Sequence, residues 1–334
     1  MNPMPPLWML AIASLAASFL LAWGWRGWAL HRGHVDHPGE RRLHQVPTPR
    51  GGGIGIAVVL LLASAWLGEG REAFALGLVL CAGAGLADDL RPLPPALKLL
   101  LQAAGGLSLA WAFPLLPEWL GHPLGTAVAL LFVVGLVNVW NFLDGSNGMA
   151  TTQALLAALG LALLAPSAPG LGWLAVALAA ACLGFLPLNF PRARLFLGDV
   201  GSHALGYGVA ALGLVAASQL EAGQAWLLLL PPSVMLIDAG LTLVARAGRR
   251  QVLWQAHREH LYQRAVAHGW SHAGVCALYA AWTVAACALA LAVAGLAPPW
   301  PLAACALAYV AGTLLHAALG RRWPRPGETL ESVG

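Results

Sequence analysis

Charge is what this chain has least of. Asp, Glu, Lys and Arg make up only 10% of its 334 residues, against about 25% in a soluble domain. Lys98 is the only lysine. Hydrophobic residues reach 59% and the mean hydropathy is +0.71. That balance excludes a soluble globular protein and predicts a polytopic membrane protein. Paired cysteines are missing too: Cys81, Cys182, Cys276, Cys287 and Cys305 all lie in apolar segments and none forms a CxxC pair. This excludes a disulfide framework or a thiolate metal site and leaves them as small core residues. The opening MNPMPPLWML has no basic n-region, so the first apolar run is expected to stay as a span rather than be cleaved. No repeat of 20–50 residues and no low-complexity tract is present. The pI near 9.0 does not point to a nucleic-acid partner. The arginines are spread over short loops instead of clustering on a solvated face, as the positive-inside rule expects.

What is abundant is apolar sequence in span-sized pieces. A transmembrane helix needs about 20 mainly apolar residues. Runs near 7–30, 52–67, 73–87, 96–113, 124–142, 149–165, 170–187, 202–218, 225–247, 273–295 and 299–319 predict an all-α membrane bundle of eleven spans. They form one domain, 1–320, with a polar tail, 321–334. Eleven crossings put the termini on opposite sides. With HRGHVDHPGERRLHQVPTPRGG facing the cytoplasm, the inside connections are 31–51, 88–95, 143–148, 188–201, 248–272 and the tail. Of the 18 Lys and Arg, only Arg71 then falls outside. This asymmetry predicts an outside N-terminus and a cytoplasmic C-terminus. Gly- and Ala-rich stretches at 103–110 and 175–184 suit close helix packing in lipid, and Pro231 and Pro232 predict a kink in the ninth span.

The aspartates are unevenly placed. Asp36, Asp88, Asp89, Asp144, Asp199 and Asp238 all fall in, or within about two turns of, the inside connections. Carboxylates in or near lipid are costly and mark functional positions. The oily scaffold is therefore expected to gather its acids at one membrane face.

Four motifs carry them. In DDLRPLPPALK, residues 88–98, two adjacent carboxylates end a span and repel each other, a repulsion that a divalent cation or a basic partner relieves. Lys98 opens the next span with Gln102 on its face. In NVWNFLDGSNG, residues 138–148, Asn138 and Asn141 share a helix face and lead into a turn of Asp144, Asn147 and two glycines. That turn permits close backbone approach to a ligand and supplies amide donors and acceptors. In LNFPRARLFLGDVGS, residues 188–202, Asn189, Arg192, Arg194 and Asp199 precede Gly201 and Ser202, expected to open a span whose N-terminus offers N–H groups to an anion. Acid and base there suit a metal-bridged phosphate. In HREHLYQR, residues 257–264, His257 and His260 share a face if helical. Such a pair binds a metal or, the favoured reading, donates to phosphate or sugar oxygens. Asp238 lies about two turns from Arg246, and a buried pair between them is favoured over direct catalysis.

Together, in this order, DDLRPLPPALKLLLQ, NVWNFLDGSNGMA, LNFPRARLFLGDVGS and HREH resemble the polyprenyl-phosphate N-acetylhexosamine-1-phosphate transferases. That family includes the bacterial phospho-N-acetylmuramoyl-pentapeptide transferase and the enzymes that start O-antigen and teichoic-acid linkers. The resemblance runs from PTPRGG at 47–52 through Arg264, about two thirds of the chain. It implies a bacterial inner-membrane enzyme with a cytoplasmic active site, which transfers sugar-1-phosphate from a UDP-N-acetylhexosamine to a polyprenyl phosphate and releases UMP. It implies catalytic roles for Asp88, Asp89, Lys98, His257 and His260. Substrate contacts are implied for Arg50, Asn138, Asn141, Asp144, Asn147, Asn189, Arg194 and Arg264. Asp199 is the implied ligand of Mg2+, with Mn2+ as a substitute, and a homodimer is a candidate assembly.

Two departures stand out. Many members carry Asp where this chain has Asn147. The pentapeptide-transferring branch has a run of histidines where this chain has HREHLYQR, so the chain looks more like the O-antigen-priming branch. The alternatives are the pentapeptide transferase itself and a magnesium-dependent polyprenyl-diphosphate phosphatase, which releases free phosphate. A transporter needs ionisable groups lining a path near the midplane, and only Asp238 sits well inside a span.

Overall fold

A computed structural model describes residues 6–37, 46–115, 121–168, 170–253, 255 and 257–325. Its helices are α1 (Leu7–His31), α2 (Ile54–Ala63, continued by a 3-10 turn Ser64–Trp66), α3 (Arg71–Leu90), α4 (Pro95–Ala112), α5 (His122–Phe142) and α6 (Met149–Leu164). Then follow α7 (Leu171–Asn189), α8 (Gly198–Ala217), a 3-10 helix Ala222–Leu229, α9 (Ser233–Gly248), α10 (Leu261–Ala267), α11 (His272–Val293) and α12 (Trp300–Arg322). A two-residue ribbon pairs β1 (Val35–Asp36) antiparallel to β2 (Thr48–Pro49).

Each of the eleven apolar runs has a helix at its position, and α10 forms within the 248–272 connection. Seven helices, α1, α3, α5, α7, α8, α11 and α12, are long and apolar enough to cross a membrane alone. The 3-10 helix and α9 make an eighth candidate, bent by 75°. The bend lies at Pro231 and Pro232, which remove ladder donors and clash with the preceding turn. The helix of α2 with its 3-10 turn and the helix α6 are apolar but shorter. The chain is thus a multi-pass membrane protein. Of the predicted tail, residues 326–334 lie outside the described residues; before them Trp323 is buried against Trp270.

The bundle is built around α8, which is buried along nearly its whole length and packs against α2, α3, α5, α6 and α7. Its sequence, GDVGSHALGYGVAALGLVAA, allows this. Gly206 lies against the α5 backbone at Leu136 and Val137, with no room for a Cβ. Without a hydrophobic drive between helices in lipid, such close backbone approach supplies the packing contact. Its consequence is positional: the N-terminus of α8 is fixed beside the ends of α3 and α5 and the start of α4 (by the contacts below).

Candidate active site

Asp88 and Asp89 end α3, and helical geometry turns adjacent side chains about 100° apart. The Asp89 carboxylate accepts the backbone N–H of Asp199 at 3.1 Å and of Val200 at 3.0 Å. It therefore caps α8 from another helix, against the positive end of that helix. Arg50 backs it: Nε lies 3.9 Å from the carboxylate, and the guanidinium donates to the Asp89 carbonyl at 2.7 Å. Asp88 faces elsewhere. It accepts the Leu93 N–H at 2.7 Å and pairs with Lys98 Nζ at 3.1 Å. Lys98 also reaches Asp199 at 3.3 Å. The predicted repulsion between neighbouring acids is thus relieved by a helix terminus on one side and a lysine on the other. The predicted open N-terminus of α8 is corrected: the helix starts at Gly198, and its first free N–H groups are taken by Asp89. Gly198 is required there, since a Cβ would stand 2.5 Å from the Asp89 carboxylate and 2.6 Å from the Gly51 nitrogen.

Below this lies a polar chain. Asn138 donates to Gln102 at 2.8 Å and to the Val134 carbonyl at 2.8 Å. Gln102 lies 3.3 Å from His203 Nε2, and His203 Nδ1 lies 3.0 Å from the Cys81 carbonyl. The carbonyl can only accept, so Nδ1 carries the proton and Nε2 accepts from the Gln102 amide. Asn141 donates to Ser202 at 3.1 Å. These groups tie α5, α4, α8 and α3 together beneath the acids.

The 143–148 turn is tied to the α7–α8 connection. Asn189 accepts the Gly148 N–H at 2.6 Å and donates to the Leu195 carbonyl at 3.0 Å. Asn147 donates to the Pro191 carbonyl at 3.1 Å. Above it opens a cavity of about 390 Å³ whose wall includes Arg50, Asp89, Asp144, Asn147, Asn189 and Asp199. Burial, together with the nearby Asp199 and Asp89 carboxylates, pushes the Asp144 carboxyl well above the usual carboxylate range. Arg192 and His272 also line the cavity, as does Asp36 from the β1–β2 ribbon. No motif flagged His272; its one signal is position, at the first residue of α11.

Other predicted site residues lie elsewhere. Arg194 donates to the Pro187 carbonyl at 2.7 Å, outside the cavity wall. Arg264 is buried and donates to the Trp323 carbonyl at 2.6 Å and to Gly320, closing the end of α12. His260 is 2% exposed, its Nδ1 3.7 Å from Asp238, with the His257 ring packed on it at 4.8 Å. Burial, with His260 and Arg246 as neighbours, pushes His257 down to about 4. The expected Asp238–Arg246 pair is corrected. Asp238 accepts from Tyr279 at 2.6 Å and from the Leu261 N–H at 2.8 Å, while Arg246 and Arg249 bind Glu259. An acid on α10's doorstep supplies the nearer counter-charge. Burial opposes ionisation of Glu259, but the Arg249 and Arg246 guanidiniums hold its carboxyl below the usual range.

Residues 72–217, from α3 through α8, match the model of the family described as glycosyl transferase family 4. A decaprenyl-phosphate N-acetylglucosaminephosphotransferase of Mycolicibacterium smegmatis is 32% identical, over 83% of this chain and 80% of its own length. A probable undecaprenyl-phosphate N-acetylglucosaminyl 1-phosphate transferase of Bacillus subtilis is 28% identical over 73% of each chain. A phospho-N-acetylmuramoyl-pentapeptide-transferase of Synechococcus is 34% identical over 73% of this chain and 76% of its own. Likeness of that reach, spanning the helices that build the aspartate-lined cavity, means that this chain belongs to glycosyl transferase family 4, among its polyprenyl-phosphate N-acetylhexosamine-1-phosphate transferases.

Proposed function

We propose that the protein transfers N-acetylhexosamine-1-phosphate, with N-acetylglucosamine as the sugar the relatives' names favour, from its UDP donor to a polyprenyl phosphate. An acceptor phosphate oxygen bonds to the sugar-side phosphorus. The bond from that phosphorus to the bridging oxygen breaks, UMP leaves with the electron pair, and a polyprenyl-diphosphate sugar stays in the membrane. The observation that carries this reading is one cavity walled by Asp144, Asp199, Arg50 and Arg192, with Lys98, off the wall, paired to Asp199. Acid and base together suit a diphosphate and its counter-ion.

Among the described residues no three Asp, Glu, His or Cys side chains form a metal cage. Magnesium is commonly held by only one or two carboxylates, completed by phosphate oxygens and water. Asp144, whose carboxylate makes no hydrogen bond among the described residues, and Asp199 fit that role; burial and the neighbouring Asp199 and Asp89 carboxylates hold Asp144 above the usual carboxylate range, which a cation would relieve. Magnesium, or manganese in its place, supplies charge neutralisation and orientation of the diphosphate when bound. Asp89 holds the α8 N-terminus, and with it Asp199, in register. Lys98 keeps Asp88 and Asp199 compatible and supplies positive charge next to the reacting phosphate. Arg50 and Arg192 supply cationic donors on the cavity wall. No base is needed: a phosphate monoester loses its second proton near pH about 6, so the acceptor is mostly dianionic at neutral pH.

The Lys and Arg asymmetry supports a cytoplasmic site in a bacterial inner membrane, where the product would prime a cell-envelope glycan such as O-antigen. The pentapeptide transferase is the second reading, favoured by the Synechococcus relative and opposed by HREH in place of a histidine run. Purified protein incubated with polyprenyl phosphate, magnesium and either UDP-N-acetylglucosamine or UDP-N-acetylmuramoyl-pentapeptide, followed by mass spectrometry of the lipid, separates the two. Free phosphate without lipid-linked sugar identifies a diphosphatase. Asp199→Asn is expected to abolish magnesium-dependent turnover, and near wild-type turnover at limiting magnesium refutes the assignment.

A further inference from the structure

His272 stands at the first residue of α11, outside the four motifs, yet its ring forms part of the cavity wall that holds Asp144 and Asp199. Its Nδ1 lies 2.9 Å from Ser146 Oγ and 3.4 Å from the backbone nitrogen of Asn147. An amide N–H only donates, so Nδ1 must be the acceptor, and in the neutral ring the proton sits on Nε2. Among the described residues nothing pairs with Nε2. The ring is therefore locked by the 143–148 turn into one tautomer with one donor left over. His257 and His260 do not line this cavity, which makes His272 the one histidine in its wall among the described residues. A nucleotide sugar is rich in oxygen acceptors, and the acids on the wall cannot serve them. Of the wall's donors, Arg50, Arg192 and this imidazole carry N–H groups, while the amides of Asn147 and Asn189 already donate to backbone carbonyls.

We propose that His272 is a further substrate-contacting residue, with Nε2–H donating to an oxygen of the nucleotide sugar while Nδ1 is held by Ser146 and Asn147. The proposal rests on the transferase reading for its ligand class. Two near-isosteres separate its two ends. Asparagine places its carbonyl oxygen where Nδ1 lies, so His272→Asn keeps the tie to the turn and loses the donor. Glutamine places its amide nitrogen where Nε2 lies, so His272→Gln keeps the donor and loses the tie.

With purified full-length protein, UDP-N-acetylglucosamine affinity is measured by titration. KM for this donor and for polyprenyl phosphate is measured by transfer, and the melting temperature by thermal unfolding. His272→Asn is expected to melt like wild type, weaken UDP-N-acetylglucosamine about tenfold in both Kd and KM, and leave KM for polyprenyl phosphate unchanged. His272→Gln is expected to melt lower while binding the donor more tightly than His272→Asn does. Wild-type donor affinity in His272→Asn overturns the proposal, as does an effect confined to polyprenyl phosphate. If wild-type protein binds the donor but transfers nothing to lipid, the transferase reading falls while the titration still decides His272. Failure of wild-type protein to bind the donor overturns both.

Discussion

Replacing Asp89 with alanine should destabilise the site from beneath, and replacing Asp88 with asparagine should slow it while it stands. The two residues are neighbours, yet the structure gives them separable jobs. Asp89 supplies two amide–carboxylate hydrogen bonds, 3.1 and 3.0 Å long, to the start of α8. Bonds to a charged partner contribute about 1.5–3 kcal/mol each, and a buried N–H left unmade costs a similar amount. Arg50 would also lose its counter-charge. Allowing for non-additivity, Asp89→Ala should cost about 3–5 kcal/mol, and at about 2 °C per kcal/mol for a chain above 250 residues the melting temperature should fall by about 6–10 °C. Asp88→Asn keeps an oxygen for the Leu93 N–H and removes only the charge facing Lys98. Its melting temperature should stay within about 2 °C of wild type, while turnover drops about tenfold to a hundredfold. The assays are thermal unfolding in detergent and radiolabelled sugar transfer to lipid, on the same preparations. Asp89→Ala melting with wild type, or the two variants exchanging phenotypes, would refute the division of labour.

Two further outcomes follow from the same geometry. Lys98→Met keeps the apolar stem but leaves Asp88 and Asp199 without their shared cation; turnover should fall about tenfold to a hundredfold without raising half-saturating magnesium, because two uncompensated carboxylates attract a divalent cation more strongly, and a higher magnesium requirement counts against this. His257, held at about 4 when folded against 6.5 for a free imidazole, contributes nothing to stability above its unfolded value and subtracts from it progressively as pH falls from 6.5 toward about 4, where the unfolded chain takes up a proton that the folded chain refuses. His257→Asn should therefore lose less melting temperature than wild type between pH about 7.5 and 5, and parallel pH profiles would contradict it.

Helix positions were legible because long apolar runs leave a chain in lipid few alternatives, and the Pro231–Pro232 bend was legible because proline acts locally. The gathering of Asp88, Asp89, Asp144 and Asp199 was legible from alternate connections alone. What each of them does was not. Asp89's partners are backbone groups 110 and 111 positions away, and no local pattern distinguishes a cap delivered from another helix from an open anion site. Arg192 and Arg194 are two residues apart in an irregular segment, where no helical or strand period decides which one faces the cavity. His272 had no motif around it, since its role depends on a turn 125 positions earlier.

The HREH motif poses the hardest case, because neither histidine lines the cavity. Its reach is indirect and runs through a carboxylate inside the bundle. Asp238, on α9, takes donors from Tyr279 of α11 and from the Leu261 N–H that starts α10, with His260 and His316 of α12 close by. A buried carboxylate must be met by several donors or it is expelled toward water, so satisfying this one acid draws α9, α10, α11 and α12 to a common point. On the outer side of the same loop, Glu259 binds Arg246 and Arg249. With its N-terminus fixed by Asp238, α10 carries Tyr262, which donates to the Phe142 carbonyl at 3.2 Å just ahead of the Asp144 turn, and Gln263, which lines the cavity. A substitution at His260 therefore acts on the site by moving α10. Its effect should track loss of the Asp238 contact network instead of loss of a phosphate ligand, so Asp238→Asn and His260→Ala combined should cost less than the sum of the two alone.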